Sequence, residues 1–102
     1  MVAPLEIFRA LADPTRLRML GLLRSMELSV GELAQVLGQS QPRVSRHVKI
    51  LCDAGLAERR KEGSWVFVAL GARDVVDPVL ATFDAWRTSE PDHWTVADEA
   101  RL

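Results

Sequence analysis

Between Ser29 and Gly55 the sequence writes two helix starts and two helix stops in quick succession, and this punctuation constrains the fold more than any other feature. Ser29-Val30-Gly31-Glu32 is a capping box, in which the serine caps the helix and the glutamate reaches back. Val30, Leu33 and Leu37 then recur at i, i+3 and i+7, one buried face of a short helix that Gly38 stops. Ser40-Gln41-Pro42 starts a second helix, again with a capping side chain before an early proline. In this second helix Val44, Val48 and Leu51 share one face. Ser45, Arg46 and Lys49 lie opposite, flanked by Gln41 and Arg43, and Gly55 ends it.

The flanking segments are as legible. Leu5, Ile7, Phe8 and Leu11 predict a short helix over residues 4–11. Asp13-Pro14 supplies an N-cap and a first-turn proline for a helix to about Ser25, apolar nearly all round as a central core helix is. After Gly55, Leu56 to Lys61 and Trp65 to Leu70 flank Glu62-Gly63-Ser64, which reads as a β-hairpin with a basic tip at Arg59-Arg60-Lys61. Trp65, beside the turn, is expected to pack beneath the hairpin, with stacking on a sugar as the alternative. Val75, Val76, Val79, Leu80, Phe83 and Trp86 return to helical spacing over residues 72–86, with Pro78 near the start or at a kink. The expected order is α-α-α-α-β-β-α: mainly α with a β-hairpin wing, a winged helix-turn-helix. One domain of residues 1–87 is expected, with the helix-turn-helix at about 29–54 and the wing at about 56–70. Residues 88–102 read as a polar linker or the start of a further region.

Charge distribution supports a working surface. The net charge of −1 over 102 residues hides a split. Residues 1–70 carry ten basic against seven acidic side chains, and residues 71–102 three against seven, so the halves stand at +3 and −4. The second helix of the pair suits the major groove: Gln41 can pair with adenine, Arg43 or Arg46 with guanine, and Ser45 is small enough for close approach. His47 can reach a base or phosphate, or cap the packing against the first helix of the pair. Lys49, with Arg59, Arg60 and Lys61 on the wing, is expected to hold the DNA backbone. Leu5, Phe8, Val79, Leu80, Phe83 and Trp86 are the expected dimer contacts, because the first and last helices exceed what one small core can bury.

Three stretches bring a family into view. Phe8 to Leu17 (FRALADPTRL), Gly38 to Leu51 (GQSQPRVSRHVKIL) and Arg60 to Phe67 (RKEGSWVF), joined by Ala54-Gly55-Leu56, resemble the ArsR/SmtB family of bacterial winged-helix repressors over about residues 5–86. The resemblance implies a homodimer paired through its first and last helices on a two-fold symmetric operator and released by an inducer. Gln39 to Phe67 is especially similar to family members fused to an S-adenosylmethionine-dependent methyltransferase, which implies an adenosyl metabolite such as S-adenosylhomocysteine as inducer. Thr95-Val96-Ala97-Asp98 reads as a helix start close to the end, in keeping with a natural protein that continues.

The departures from the family pattern are equally informative. Ser29 and Gly31 stand where the family's arsenic and cadmium sensors place cysteines. Asp74, Asp77 and Asp84 lie along the last helix without a histidine, a poor zinc set. No metal and no cofactor are therefore expected. Cys52 is the lone thiol, expected to be a small apolar side chain on the core border, with a redox role as the alternative. His93 falls in the linker and offers no partner.

No phosphate loop, nucleophile set or metal-hydrolysis cluster occurs, so an enzyme is excluded. No apolar run spans a bilayer and no signal peptide opens the chain, so the expected place is the cytoplasm and the partner is double-stranded DNA, with a small-molecule inducer. The competing class is a winged helix whose basic face docks an acidic protein.

Overall fold

The computed structural model describes residues 3–86, and its elements run α1 (Pro4–Leu11), α2 (Pro14–Ser25), β1 (Leu28–Ser29), α3 (Val30–Leu37), α4 (Gln41–Asp53), β2 (Ala57–Glu62), β3 (Trp65–Leu70) and α5 (Arg73–Trp86). The expectations for residues 88–102, His93 and Thr95 lie outside the described residues.

Each helix start has the partner its sequence requires. The Arg16 backbone N–H donates to Asp13 Oδ1 at 3.1 Å. At α3 both halves of the capping box form, Glu32 N–H to Ser29 Oγ at 3.1 Å and Ser29 N–H to Glu32 Oε1 at 2.9 Å. Gly38 adopts φ 66°, the left-handed conformation glycine reaches without Cβ strain, and lets the chain restart a helix three residues later. Arg43 N–H closes the α4 cap on Ser40 Oγ.

A strand not foreseen in the sequence completes the sheet. Leu28 and Ser29 pair antiparallel with Val68 and Phe67, giving the strand order β1-β3-β2. Two residues carry no periodicity, and the capping signal of Ser29 hides its place in a ladder. The consequence is mechanical. β3 becomes the central strand, so the wing is fastened to the start of α3 instead of hanging from one hairpin.

The core gathers Met19, Leu20, Leu22 and Leu23 of α2, Leu33 and Leu37 of α3, and Val44, Val48 and Leu51 of α4 around Leu28, Leu56 and Val68. Val30, expected on the buried face of α3, is half-buried at its margin. α5 is tied to α2 by a two-pronged ion pair, Arg24 Nη1 and Nη2 to the two carboxylate oxygens of Asp84 at 2.8 and 3.0 Å. Pro78 lies inside α5, and Thr82 Oγ1 donates to its carbonyl at 2.9 Å. No helix among the described residues is long and apolar enough to cross a membrane.

Candidate nucleic-acid interface

α4 presents two faces set by its own periodicity. Val44, Val48 and Leu51 are fully buried, which turns Gln41, Arg43, Ser45, Arg46 and Lys49 to solvent. Among the described residues neither Arg43 nor Arg46 has a carboxylate partner, so both guanidinium forks are available for base edges or phosphates. Lys49 is paired along the helix with Asp53 at 2.7 Å. An exposed pair of this kind contributes only about 0–1 kcal/mol, so the ammonium can exchange Asp53 for a phosphate at little cost.

His47 is placed differently from its neighbours. It is half-buried, and its Nδ1 lies 3.1 Å from Arg16 Nη1 on α2. Arg16 also reaches the carbonyls of Ala10 and Arg9, so one side chain links the end of α1, the start of α2 and α4. Burial pushes the His47 pKa down and Asp13 pulls it up, while the positive charges of Arg16, Arg43 and Arg46 push it further down. The sequence left His47 between a DNA contact and packing against the first helix of the pair, and it did not point to Arg16. Asp13-Pro14 marked this region only as a helix start, and a contact across 31 positions leaves no periodic trace.

The basic triplet of the wing is split by strand geometry. Side chains alternate along β2. Arg59 and Lys61, opposite Val68 and Val66, share the face turned toward α4, whereas Arg60 stands opposite Phe67 on the outer face. There its guanidinium pairs with Glu27 at 2.7 Å and with Glu62 at 2.7 Å, over the Phe67 ring. Arg59 and Lys61 thus lie on the α4 side of the wing, whereas Arg60 is paired with Glu27 and Glu62 on its outer face.

Arg59 faces Gln41 and Ser45 across a cleft of about 440 Å³ that the start of α3 closes at Gly31. Trp65, also at this cleft, is 63% exposed rather than packed beneath the hairpin. It is the first residue of β3, at the turn end of the strand, while the buried part of β3 lies at Val68.

The predicted dimer contacts divide in two. Leu5, Phe8 and Trp86 are 58%, 65% and 71% exposed, large apolar side chains with nothing over them in the single chain. Val79 and Phe83 pack partly against the chain's own core, and Leu80 is half-buried. Cys52 packs half-buried against the same core. Among the described residues no three His, Cys, Asp or Glu side chains come together as a metal site. Ser29 is spent on the α3 cap, Asp84 on Arg24, and Asp77 lies 4.0 Å from Arg73.

Comparison with known proteins agrees with this geometry. Residues 13–59 match the family model described as bacterial regulatory protein, arsR family. The chain is 39% identical over 88 residues to the arsenical resistance operon repressor of Escherichia coli K12, covering 85% of this chain and 75% of the relative. It spans between 56% and 62% of the length of four further relatives. Among solved structures, HlyU from Vibrio cholerae N16961 superposes with a TM-score of 0.71 at 34% identity, over 80% of this chain and 89% of that one. The homodimeric winged helix-turn-helix DNA-binding domain (fragment 1–100) Mb0332 from Mycobacterium bovis gives a TM-score of 0.71 at 27% identity, over 86% and 84%.

Proposed function

The chain belongs to the arsR family of bacterial regulatory proteins and is a DNA-binding transcriptional regulator, and we propose that it acts as a homodimeric repressor on a two-fold symmetric operator. The observation that carries the reading is the exposed polar face of α4, with Ser45, Arg46 and Lys49 turned away from the buried Val44, Val48 and Leu51 and the exposed Gln41 and Arg43 flanking them. A helix held this rigidly from behind presents its polar face at a fixed angle, which is what base-edge readout in a major groove requires. Arg59 and Lys61 flank that face and supply sequence-independent backbone contact.

The homodimer draws support from the exposed Leu5, Phe8 and Trp86 and from the homodimeric relative of known structure. Two copies related by a two-fold axis place two α4 helices on successive turns of one DNA face. Release by a small molecule is part of the proposal, with adenosyl compounds first in the screen because Gln39 to Phe67 is similar to methyltransferase-fused members of the family. Soft-metal release through the α3 start is not, because the capping Ser29 and Gly31 offer no thiolate.

Arg46→Ala tests the reading at a single residue. It is expected to weaken operator binding by about 1–3 kcal/mol and to relax the preference at one operator position, measured by anisotropy on a panel of single-base variants. Unchanged affinity and preference would mean that another face of α4 meets the DNA.

A further inference from the structure

The contact between Arg16 and His47 determines which protonation state and tautomer the histidine brings to DNA. An arginine is always protonated and is donor only, so at 3.1 Å from Arg16 Nη1 the His47 Nδ1 must accept. An accepting Nδ1 carries no proton. The imidazole is then neutral, and its one N–H is on Nε2. The guanidinium is itself held in place. It donates to the carbonyls of Ala10 and Arg9 at the end of α1 and lies 3.9 Å from Asp13 Oδ2. Its side chain is largely buried and its direction is fixed from three sides. Burial of the ring and the positive charges of Arg16, Arg43 and Arg46 act in the same sense, against protonation, with only Asp13 opposing. Arg43, one turn before His47, and Ile50, three residues after it, are exposed, so the ring stands at the border of the polar face.

We propose that Arg16 is a positioning residue for DNA recognition: by donating to His47 Nδ1 it fixes the tautomer protonated on Nε2, so that His47 meets DNA as a hydrogen-bond donor. The inference rests on the DNA-binding reading above. Its ligand is a hydrogen-bond acceptor on the duplex, either guanine N7 or O6, or a phosphate oxygen.

The tautomer is read first, without DNA. In the uniformly ¹⁵N-labelled full chain, long-range ¹H–¹⁵N correlation at pH 7.5 should show the His47 proton on Nε2 and none on Nδ1. Arg16→Met should yield a tautomer mixture and a raised His47 pKa. A proton on Nδ1 in the wild type, or an unaltered tautomer and pKa in Arg16→Met, would overturn the proposal. A double-mutant cycle on the duplex upstream of the protein's own gene then tests the link to DNA. Arg16→Met should weaken binding roughly five- to tenfold, the loss of one net hydrogen bond, and should add nothing in a His47→Ala background. His47→Gln, which keeps an acceptor and a donor, should rescue most of the loss seen in His47→Ala.

Fully additive losses would overturn the proposal and make Arg16 a fold element alone. Arg16→Lys guards against misfolding, since its ammonium still donates to Nδ1 and should preserve the tautomer. The source of the acceptor follows from the His47→Ala profile. A loss confined to one base position marks a base edge, and a uniform loss marks a phosphate. If the wild type bound no duplex selectively while keeping the Nε2 tautomer, the DNA-binding reading would fall and this role of His47 with it.

Discussion

Arg60 and Phe67 face each other across the outer side of the wing, the guanidinium carbon 5.0 Å from the ring centroid, in register as direct cross-strand partners. From that seat the guanidinium reaches Glu27 just before β1, so the contact bridges all three strands of the sheet. Arg60 thus strengthens the same fastening that β1 provides. The two cations beside it in sequence are turned to the other face.

This division predicts different salt behaviour for adjacent residues. Lys61→Ala is expected to weaken DNA binding similarly for all sequences and to flatten the dependence of log K on log salt by about one unit. Arg60→Ala is expected to leave that slope unchanged. Titrations at several salt concentrations compare the two, and an equal loss of slope in Arg60→Ala would show that its guanidinium leaves Glu27 and Glu62 for a phosphate.

Stability should depend on pH through His47. Burial lowers its pKa in the folded chain, with Arg16, Arg43 and Arg46 acting in the same sense against Asp13. Below the ordinary histidine value of about 6.5 the unfolded chain takes up a proton that the folded chain resists. Stability is therefore full above that pH and falls as pH drops through the folded pKa. Urea midpoints between about pH 8 and pH 5 should decline in the wild type and decline less in His47→Gln. Equal declines would assign the effect to other groups.

The exposed ends of α1 and α5 predict the dimer. Phe8→Glu places a charge on a side chain that is 65% exposed in the single chain, so the fold should survive while the pairing fails. Sedimentation should show a dimer for the wild type and a monomer for Phe8→Glu, with matching far-ultraviolet circular dichroism. A Phe8→Glu dimer would move the interface elsewhere.

Two glycines make opposite predictions. Gly71 donates to the Leu56 carbonyl at 2.9 Å, and a Cβ there would overlap the Gly55 carbonyl oxygen, so the end of the wing passes too close to the α4–β2 turn for any side chain. Gly71→Ala should destabilise by about 1–3 kcal/mol through this overpacking. Gly21 is exposed within α2 with open space around it, and Gly21→Ala should stabilise by about 0.5–1 kcal/mol. Urea denaturation measures both, and a neutral Gly71→Ala would contradict the close approach.

What the sequence made legible was whatever is written in local signals. Asp13, Ser29 and Ser40 announce helices because a cap is chemistry between residues three apart. Val44, Val48 and Leu51 announce the face of α4 because burial follows the helical period. The unforeseen features are relations between distant positions. β1 exists only because Leu28 finds Val68, and Arg24 meets Asp84 across 60 positions. The Arg59-Arg60-Lys61 triplet was legible as charge, but its division between two faces became visible only with the register against Val68, Phe67 and Val66.

Two copies of this chain are expected to read one DNA sequence through α4. The most direct test is a fluorescence-anisotropy titration of the wild-type chain on the duplex upstream of its own gene, with scrambled duplex as competitor at physiological salt. Preferential binding that saturates at two chains per duplex is expected. Equal, weak binding to both duplexes would contradict it and would assign the basic face of α4 and the wing to a protein partner.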